Sequence, residues 1–123
     1  AIFFANVGHS NKRVLEAIEQ SISKPILGCY AYANEMRSNY LENLLKTSPK
    51  NFEKAFLMSA GTEATEGALK LMRMYGQKIK KKKLGIICFE NNWHGRTLGA
   101  QMMGGNEQQK EWIGYKDKDI YHW

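Results

Sequence analysis

Residues 59–73 have the sequence SAGTEATEGALKLMR, and this stretch decides the fold. A short apolar run, residues 54–58, comes directly before it and is consistent with a buried strand. Ser59-Ala60-Gly61 then predicts a tight turn, and Thr62 opens a helix that we expect to end near Gly76. A strand that passes through a glycine turn into a helix is typical of α/β proteins.

The segments on either side extend this pattern. Residues 84–89 form a second apolar run, so the order strand, helix, strand predicts a βαβ unit and a parallel sheet. A short helix is expected after it, from Thr97 to Met103. Two further helices are predicted upstream, one between Ser10 and Lys24 and one over residues 34–47. We expect residues 104–123 to be irregular.

The composition is that of an ordinary soluble globular chain, with 123 residues, 43% of them hydrophobic and 24% charged. The net charge is +6, and much of it comes from Lys78 and Lys80–Lys83, which we expect to form a solvated connector rather than a nucleic-acid site. No apolar run approaches the length needed to cross a bilayer. Cys29 and Cys88 are the only cysteines and do not form a metal-binding pair, so no metal and a reducing cytoplasm are expected.

The turn at Gly61-Thr62 is a candidate anion site. The first turn of a helix has backbone N–H groups without intrahelical partners, and the helix dipole favours negative charge there. Gly61 has no Cβ to block a close approach, and Thr62 adds a hydroxyl. The sequence matches neither a Walker loop nor a dinucleotide fingerprint. A plain capped helix without any ligand is an equally good interpretation of this turn alone.

The segment Glu90-Asn91-Asn92-Trp93-His94-Gly95-Arg96-Thr97 follows the second predicted strand. Ligands of parallel sheets bind beyond the carboxyl ends of the strands, so this segment and the Gly61 turn are expected to face one ligand. Trp93 can stack on a flat ring, and His94 can touch the same ring or a substrate. The alternatives are an aromatic residue of the core for Trp93 and a hydrogen-bonded loop residue for His94.

Three segments, taken together, resemble the class III aminotransferases of the acetylornithine, ornithine and 4-aminobutyrate type. Residues 59–73 are similar to the phosphate-binding helix of that family, and residues 90–97 resemble its Glu, Asn, aromatic-His-Gly-Arg-Thr segment. Gly8-His9 and the following helix, residues 14–20, resemble its early Gly-His turn and helix. The three segments occur in the family's order over nearly the whole chain.

This resemblance implies a fold type I enzyme that uses pyridoxal 5'-phosphate. It implies that Gly61 and Thr62 bind the cofactor phosphate, that Trp93 stacks on the pyridine ring, and that His94 lies beside the ring. The family usually has Phe or Tyr where this chain has Trp93. The expected organisation is an N-terminal segment and connector with small-domain elements, residues 1–33, followed by the beginning of a mixed, mostly parallel cofactor domain, residues 34–123.

The family also needs an Asp against the pyridinium nitrogen and a Lys that forms the Schiff base with the cofactor. Both lie downstream of the segment matched by residues 90–97, and no lysine here has the expected context. We therefore expect the chain to be the N-terminal portion of a larger enzyme. Residues 1–123 alone are expected to be inactive.

The expected reaction moves an amino group between an amine or amino acid and a keto acid. An aminomutase or racemase with the same cofactor is the alternative, and a non-catalytic anion-binding or nucleic-acid-binding module is a distant one. The resemblance also implies a homodimer or a multiple of it. Tyr30, Tyr32 and Met36 have the aromatic and methionine character of an interface core. No membrane or nucleic-acid partner is expected.

Overall fold

A computed structural model describes residues 5–25, 28, 31–79 and 84–123. The chain divides into two compact units, Ala1–Ala55 and Phe56–Trp123. The predicted boundary between residues 33 and 34 concerns the domains of the complete enzyme and stays a prediction. No described helix is both long and apolar enough to span a membrane.

The first unit contains two helices, α1 (Lys12–Ile22) and α2 (Glu35–Thr47), close to the predicted bounds. Asparagine side chains begin both helices, since such a side chain can accept hydrogen bonds from the free amides of the first turn. Asn11 accepts from the backbone N–H of Arg13 at 3.1 Å, and Asn34 accepts from the N–H of Arg37 at 3.1 Å. Neither helix has a buried residue, and most of their apolar residues are exposed within this unit.

The second unit has two strands and three helical elements. They are α3 (Gly61–Lys78), β1 (Ile86–Cys88), α4 (Leu98–Met102), a 3-10 helix (Gln108–Ile113) and β2 (Ile120–His122). The two strands pair in parallel, with Ile86 opposite Ile120 and Cys88 opposite His122. The connection between them runs through α4 and the 3-10 helix. The carboxyl end of β1 therefore leads directly into the segment that contains Trp93 and His94.

A small apolar core holds this unit together. Ile86, Cys88 and Met103 are buried, and Leu69 of α3 and Ile120 of β2 pack against them. Side chains alternate across a strand, so Ile86 and Cys88 face inward while Ile87 faces outward. Burial raises the pKa of the Cys88 thiol, as expected for a cysteine that serves as a small core residue.

An ion pair fixes the later part of α3. Arg73 Nη2 lies 2.6 Å from Asp117 Oδ2, and the other carboxylate oxygen accepts the backbone N–H of Asp119 at 2.9 Å. The hydrogen bond from Arg73 lowers the pKa of the Asp117 carboxyl, and the bond from Asp119 acts in the same direction. α3 is thus attached at this end to the chain just before β2.

Two sequence predictions about strands were wrong. Residues 54–58 do not form a strand, because a strand needs a hydrogen-bonded neighbour and no described segment pairs with them. Residues 104–123 are not irregular, since they contain the 3-10 helix and β2. The parallel crossover is therefore real but connects β1 to β2 rather than residues 54–58 to β1. The basic run Lys80–Lys83 lies outside the described residues.

Candidate active site

The N-terminus of α3 is open to an anion. Gly61 is its first residue, and Ala60 before it is extended and gives no side-chain cap. The first helical hydrogen bond runs from the Ala64 N–H to the Ala60 carbonyl at 2.9 Å, so the amides before Ala64 have no partner within the helix. Glu63, the acidic residue of this turn, accepts the Ser59 N–H at 2.9 Å rather than an N–H of Gly61 or Thr62.

The space around Gly61 is also open. A Cβ built on this residue would meet no atom of the described chain within 4 Å. The chain itself therefore does not require glycine here, and the backbone conformation is one that other residues adopt. Free amides next to open space are what a phosphate group needs to approach a helix end.

Thr62 brings the two predicted motifs together. Its side chain packs against Gly95, where an added Cβ would lie only 2.8 Å from Thr62 Cβ and would collide with the hydroxyl and methyl groups. Gly95 is buried and has a φ of +132°, a conformation that residues with a Cβ rarely adopt. Close approach and backbone conformation both require glycine at this position. The start of α3 and the segment after β1 therefore form one surface.

Trp93 offers a partly free aromatic face at this surface. Its side chain is 58% exposed, so it is not the core residue that was the alternative interpretation. The guanidinium carbon of Arg96 lies over the indole, 5.2 Å from the ring centroid, which is within the range of a cation–π contact. The sequence motif alone did not predict this role for Arg96. The cation supports one side of the indole and helps to fix its orientation.

His94 is half-buried and is held by a neighbouring side chain. Its Nε2 lies 2.7 Å from Nδ2 of Asn92, so the amide donates to the ring. The backbone around Asn92 is fixed in turn, because its carbonyl accepts the N–H of Gly105 at 3.2 Å. Oδ1 of Asn92 is buried without a partner among the described residues. Asn92 is a second contact that the sequence motif alone did not reveal.

Glu66 joins α3 to α4 beside this surface. Its Oε1 accepts hydrogen bonds from the hydroxyl of Thr97 and from the backbone N–H of Ala100, the latter at 3.0 Å. Thr97 occupies the N-cap position of α4 but makes no capping bond of its own. The carboxylate from α3 therefore does the work that the N-cap side chain usually does for its own helix.

Glu107, elsewhere in the second unit, forms ion pairs with two lysines. Glu107 lies 2.5 Å from Lys110 and 2.7 Å from Lys116, and its pKa is lowered to about 2, chiefly by the hydrogen bond from Lys110. No group of three or more His, Cys, Asp or Glu side chains in the described part of the chain could hold a metal ion. The candidate site is the surface formed by the start of α3 and residues 92–97, where Thr62 packs against Gly95.

This surface fits a ligand that has both a phosphate and a flat ring. The uncapped amides at Gly61 and Thr62 suit the phosphate, and the exposed indole of Trp93 suits the ring. These are the groups of pyridoxal 5'-phosphate. The four residues predicted from the sequence thus lie on two segments that touch.

Comparison with known proteins gives the same family. The class-III aminotransferase family profile matches residues 1–122. The chain is 34% identical over 109 residues to the mitochondrial acetylornithine aminotransferase of Candida glabrata, covering 85% of this chain and 26% of that protein. It is 38% identical over 109 residues to the acetylornithine aminotransferase of Clostridium acetobutylicum, covering 85% of this chain and 27% of that protein.

A solved structure shares the fold. The omega transaminase of Pseudomonas jessenii, in complex with PMP, superposes with a TM-score of 0.86 at 22% identity, over 96% of this chain and 27% of that chain. The chain spans about a quarter of the length of the relatives that it matches. The match of the family profile over almost every residue shows that this chain belongs to the class-III aminotransferase family.

Proposed function

We propose that the protein is a pyridoxal-phosphate-dependent transaminase that moves an amino group between an amine or amino acid and a keto acid. Family membership supports the reaction class, and the relatives described above are aminotransferases or transaminases by name. The observation that carries the proposal is the contact between Thr62 and Gly95. This contact joins an open helix N-terminus to the segment of Trp93 and His94, which is the pairing that the cofactor needs.

Each of these residues has a distinct task. Backbone N–H groups at Gly61 and Thr62 bind the phosphate, Trp93 stacks on the pyridine ring, and His94 lies beside it. When bound, the cofactor serves as the electron sink for the substrate carbon. The described residues bind and orient it: the helix end fixes the phosphate, the indole fixes the plane of the ring, and Asn92 holds the imidazole of His94.

The alternative reactions share the same cofactor site. An aminomutase or racemase would use the phosphate-binding turn and the stacking ring in the same way, so these residues do not separate the reactions. The relatives favour transamination, since the proteins described above carry that activity in their names. A non-catalytic binding module has less support, because the chain belongs to an enzyme family and the basic run lies outside the described residues.

The architecture of the complete enzyme follows from the same proposal. Residues 34–123 begin a mixed, mostly parallel cofactor domain of fold type I, and residues 1–33 supply small-domain elements. We place the enzyme in the cytoplasm, where a free, buried Cys88 would stay reduced. The relative from Candida glabrata is mitochondrial by name, so subcellular fractionation tests this location directly.

Substitution of Gly61 tests the phosphate site. Because a Cβ at this position would meet no more distant part of the described chain within 4 Å, Gly61→Val should change the stability of the protein without cofactor little. It should weaken pyridoxal-phosphate binding roughly 10- to 100-fold, the cost of losing a hydrogen bond to a charged group. Ala68→Val, at an exposed position of the same helix, is the matched control. Cofactor titration measures the affinity, and thermal unfolding measures the stability. Parent-like affinity in Gly61→Val would refute the assignment of the phosphate site to Gly61.

Substitution of Trp93 tests the stacking role. Trp93→Ala should shift the absorbance of the bound cofactor and weaken its binding by about 1–3 kcal/mol, whereas Trp93→Phe should have a mild effect. Trp112 is a matched control, since it is 60% exposed and its indole N–H donates to Gln101 rather than facing this surface. If the Ala and Phe variants both bind the cofactor like the parent, the ring of Trp93 does not stack.

We also predict that the complete enzyme is a homodimer or a multiple of it. Tyr32 and Met36 are exposed in the first unit and have the character of interface-core residues, while Tyr30 lies outside the described residues. Tyr32→Glu and Met36→Glu should shift the dimer towards monomer, because they would bury a charge in the interface. Sedimentation of the complete protein measures the assembly, and an active monomer at working concentration would contradict the prediction.

A further inference from the structure

We propose that Glu66 is a positioning residue, which fixes the phosphate-binding end of α3 relative to the segment that carries Trp93 and His94. This inference rests on the function proposed above. Glu66 has no expected contact with the cofactor. Its effect passes through Thr97, Ala100 and Gly99, all of which lie just beyond the Trp93–His94 segment.

The carboxylate of Glu66 is used on both sides. Oε1 accepts hydrogen bonds from the Thr97 hydroxyl and from the N–H of Ala100, the latter at 3.0 Å. Oε2 lies against Gly99, where an added Cβ would collide with it and would come within 2.8 Å of Leu69 Cδ2. Gly99 is buried, so the carboxylate occupies a close-fitting contact with the first turn of α4. This contact leaves little freedom for α3 to slide along α4.

A second contact lies one helical turn away on the same face of α3. Thr62 and Glu66 are four residues apart, and such side chains are neighbours on a helix surface. Thr62 meets Gly95, and Glu66 meets Thr97 and Ala100. Two successive contacts therefore attach α3 to successive positions of the segment. Two points of attachment at this end of α3 constrain the rotation of its first turns as well as their distance from the segment.

This arrangement sets the geometry of the site. Gly61 lies directly before the first contact residue of α3, and His94 lies directly before Gly95. A movement of the helix would change the separation between the free amides at Gly61 and the ring of Trp93. The cofactor has a fixed length between its phosphate and its ring, so its affinity and orientation depend on that separation.

The competing interpretation is that Glu66 only stabilises the fold. The Arg73–Asp117 pair provides the comparison, because it also attaches α3 to a later part of the second unit, at 2.6 Å. Arg73 lies seven residues beyond Glu66, about 10 Å along the helix and farther from Gly61. Loss of either contact should lower stability. Only loss of the Glu66 contact should change how the cofactor is held.

The test compares Glu66→Ala, Glu66→Gln, Thr97→Val and Arg73→Met in the complete protein. Three quantities are measured: the unfolding midpoint without cofactor, the dissociation constant of pyridoxal phosphate, and the circular dichroism of the bound cofactor. Glu66→Ala should weaken cofactor binding roughly 10–100-fold, by analogy with the loss of residues that support metal ligands, and should change the dichroism. Glu66→Gln keeps an acceptor oxygen for Thr97 and Ala100 and should restore both. Arg73→Met should lower the midpoint while leaving affinity and dichroism like those of the parent.

The outcomes separate the two claims. If Glu66→Ala lowers the midpoint but binds the cofactor like the parent, or if Arg73→Met changes affinity and dichroism equally, Glu66 does not position the site. If Glu66→Ala does not fold, Thr97→Val replaces it, since it removes one hydrogen-bond donor to Glu66 and keeps the shape of the side chain. Weaker cofactor binding and a changed dichroism in Thr97→Val would support the positioning role, and parent-like values would contradict it. A parent protein that binds no pyridoxal phosphate would instead overturn the proposed function.

Discussion

The close approach of α3 to the chain after β1 is the constraint on which the site depends. Gly95 and Gly99 make it possible, because a Cβ at either position would collide with side chains of α3. Hydrogen bonds reinforce this close approach, since the carboxylate of Glu66 accepts from the Thr97 hydroxyl and from the Ala100 N–H in the first turn of α4. Two glycines and one carboxylate thus convert separate sequence motifs into one surface.

The strands and the apolar core of the second unit hold the elements of that surface in place. Ile86 and Cys88 of β1, which pairs in parallel with β2, are buried, and the segment with Trp93 and His94 follows the carboxyl end of β1. Leu69 connects the same core to α3, so the helix is held by apolar packing in its middle and by polar contacts at Glu66 and Arg73. These contacts fix the position of α3 in the second unit, so its first amides can stay without hydrogen-bond partners in the helix.

Much of this was predictable from the sequence because it is local. The four α-helices end within a few residues of the predictions, since caps such as Asn11, apolar spacing and proline act over one or two turns. The strands were harder to predict because pairing depends on distant residues: residues 54–58 lack a described partner, and β2, with three residues, is too short to stand out. The candidate site residues were predicted from their motifs, whereas the contacts of Gly95, Gly99, Glu66 and Asn92 required the fold. The roles of Gly61, Thr62, Trp93 and His94 stay predictions.

A crystal structure of the complete protein with pyridoxal phosphate tests the central claim most directly. We expect phosphate oxygens within about 2.7–3.2 Å of the backbone nitrogens at Gly61 and Thr62, with the pyridine ring stacked on the indole of Trp93. We also expect Glu66 to keep its bonds to Thr97 and Ala100 in that complex. A phosphate held by other groups, with the first turn of α3 facing only solvent, would contradict the account.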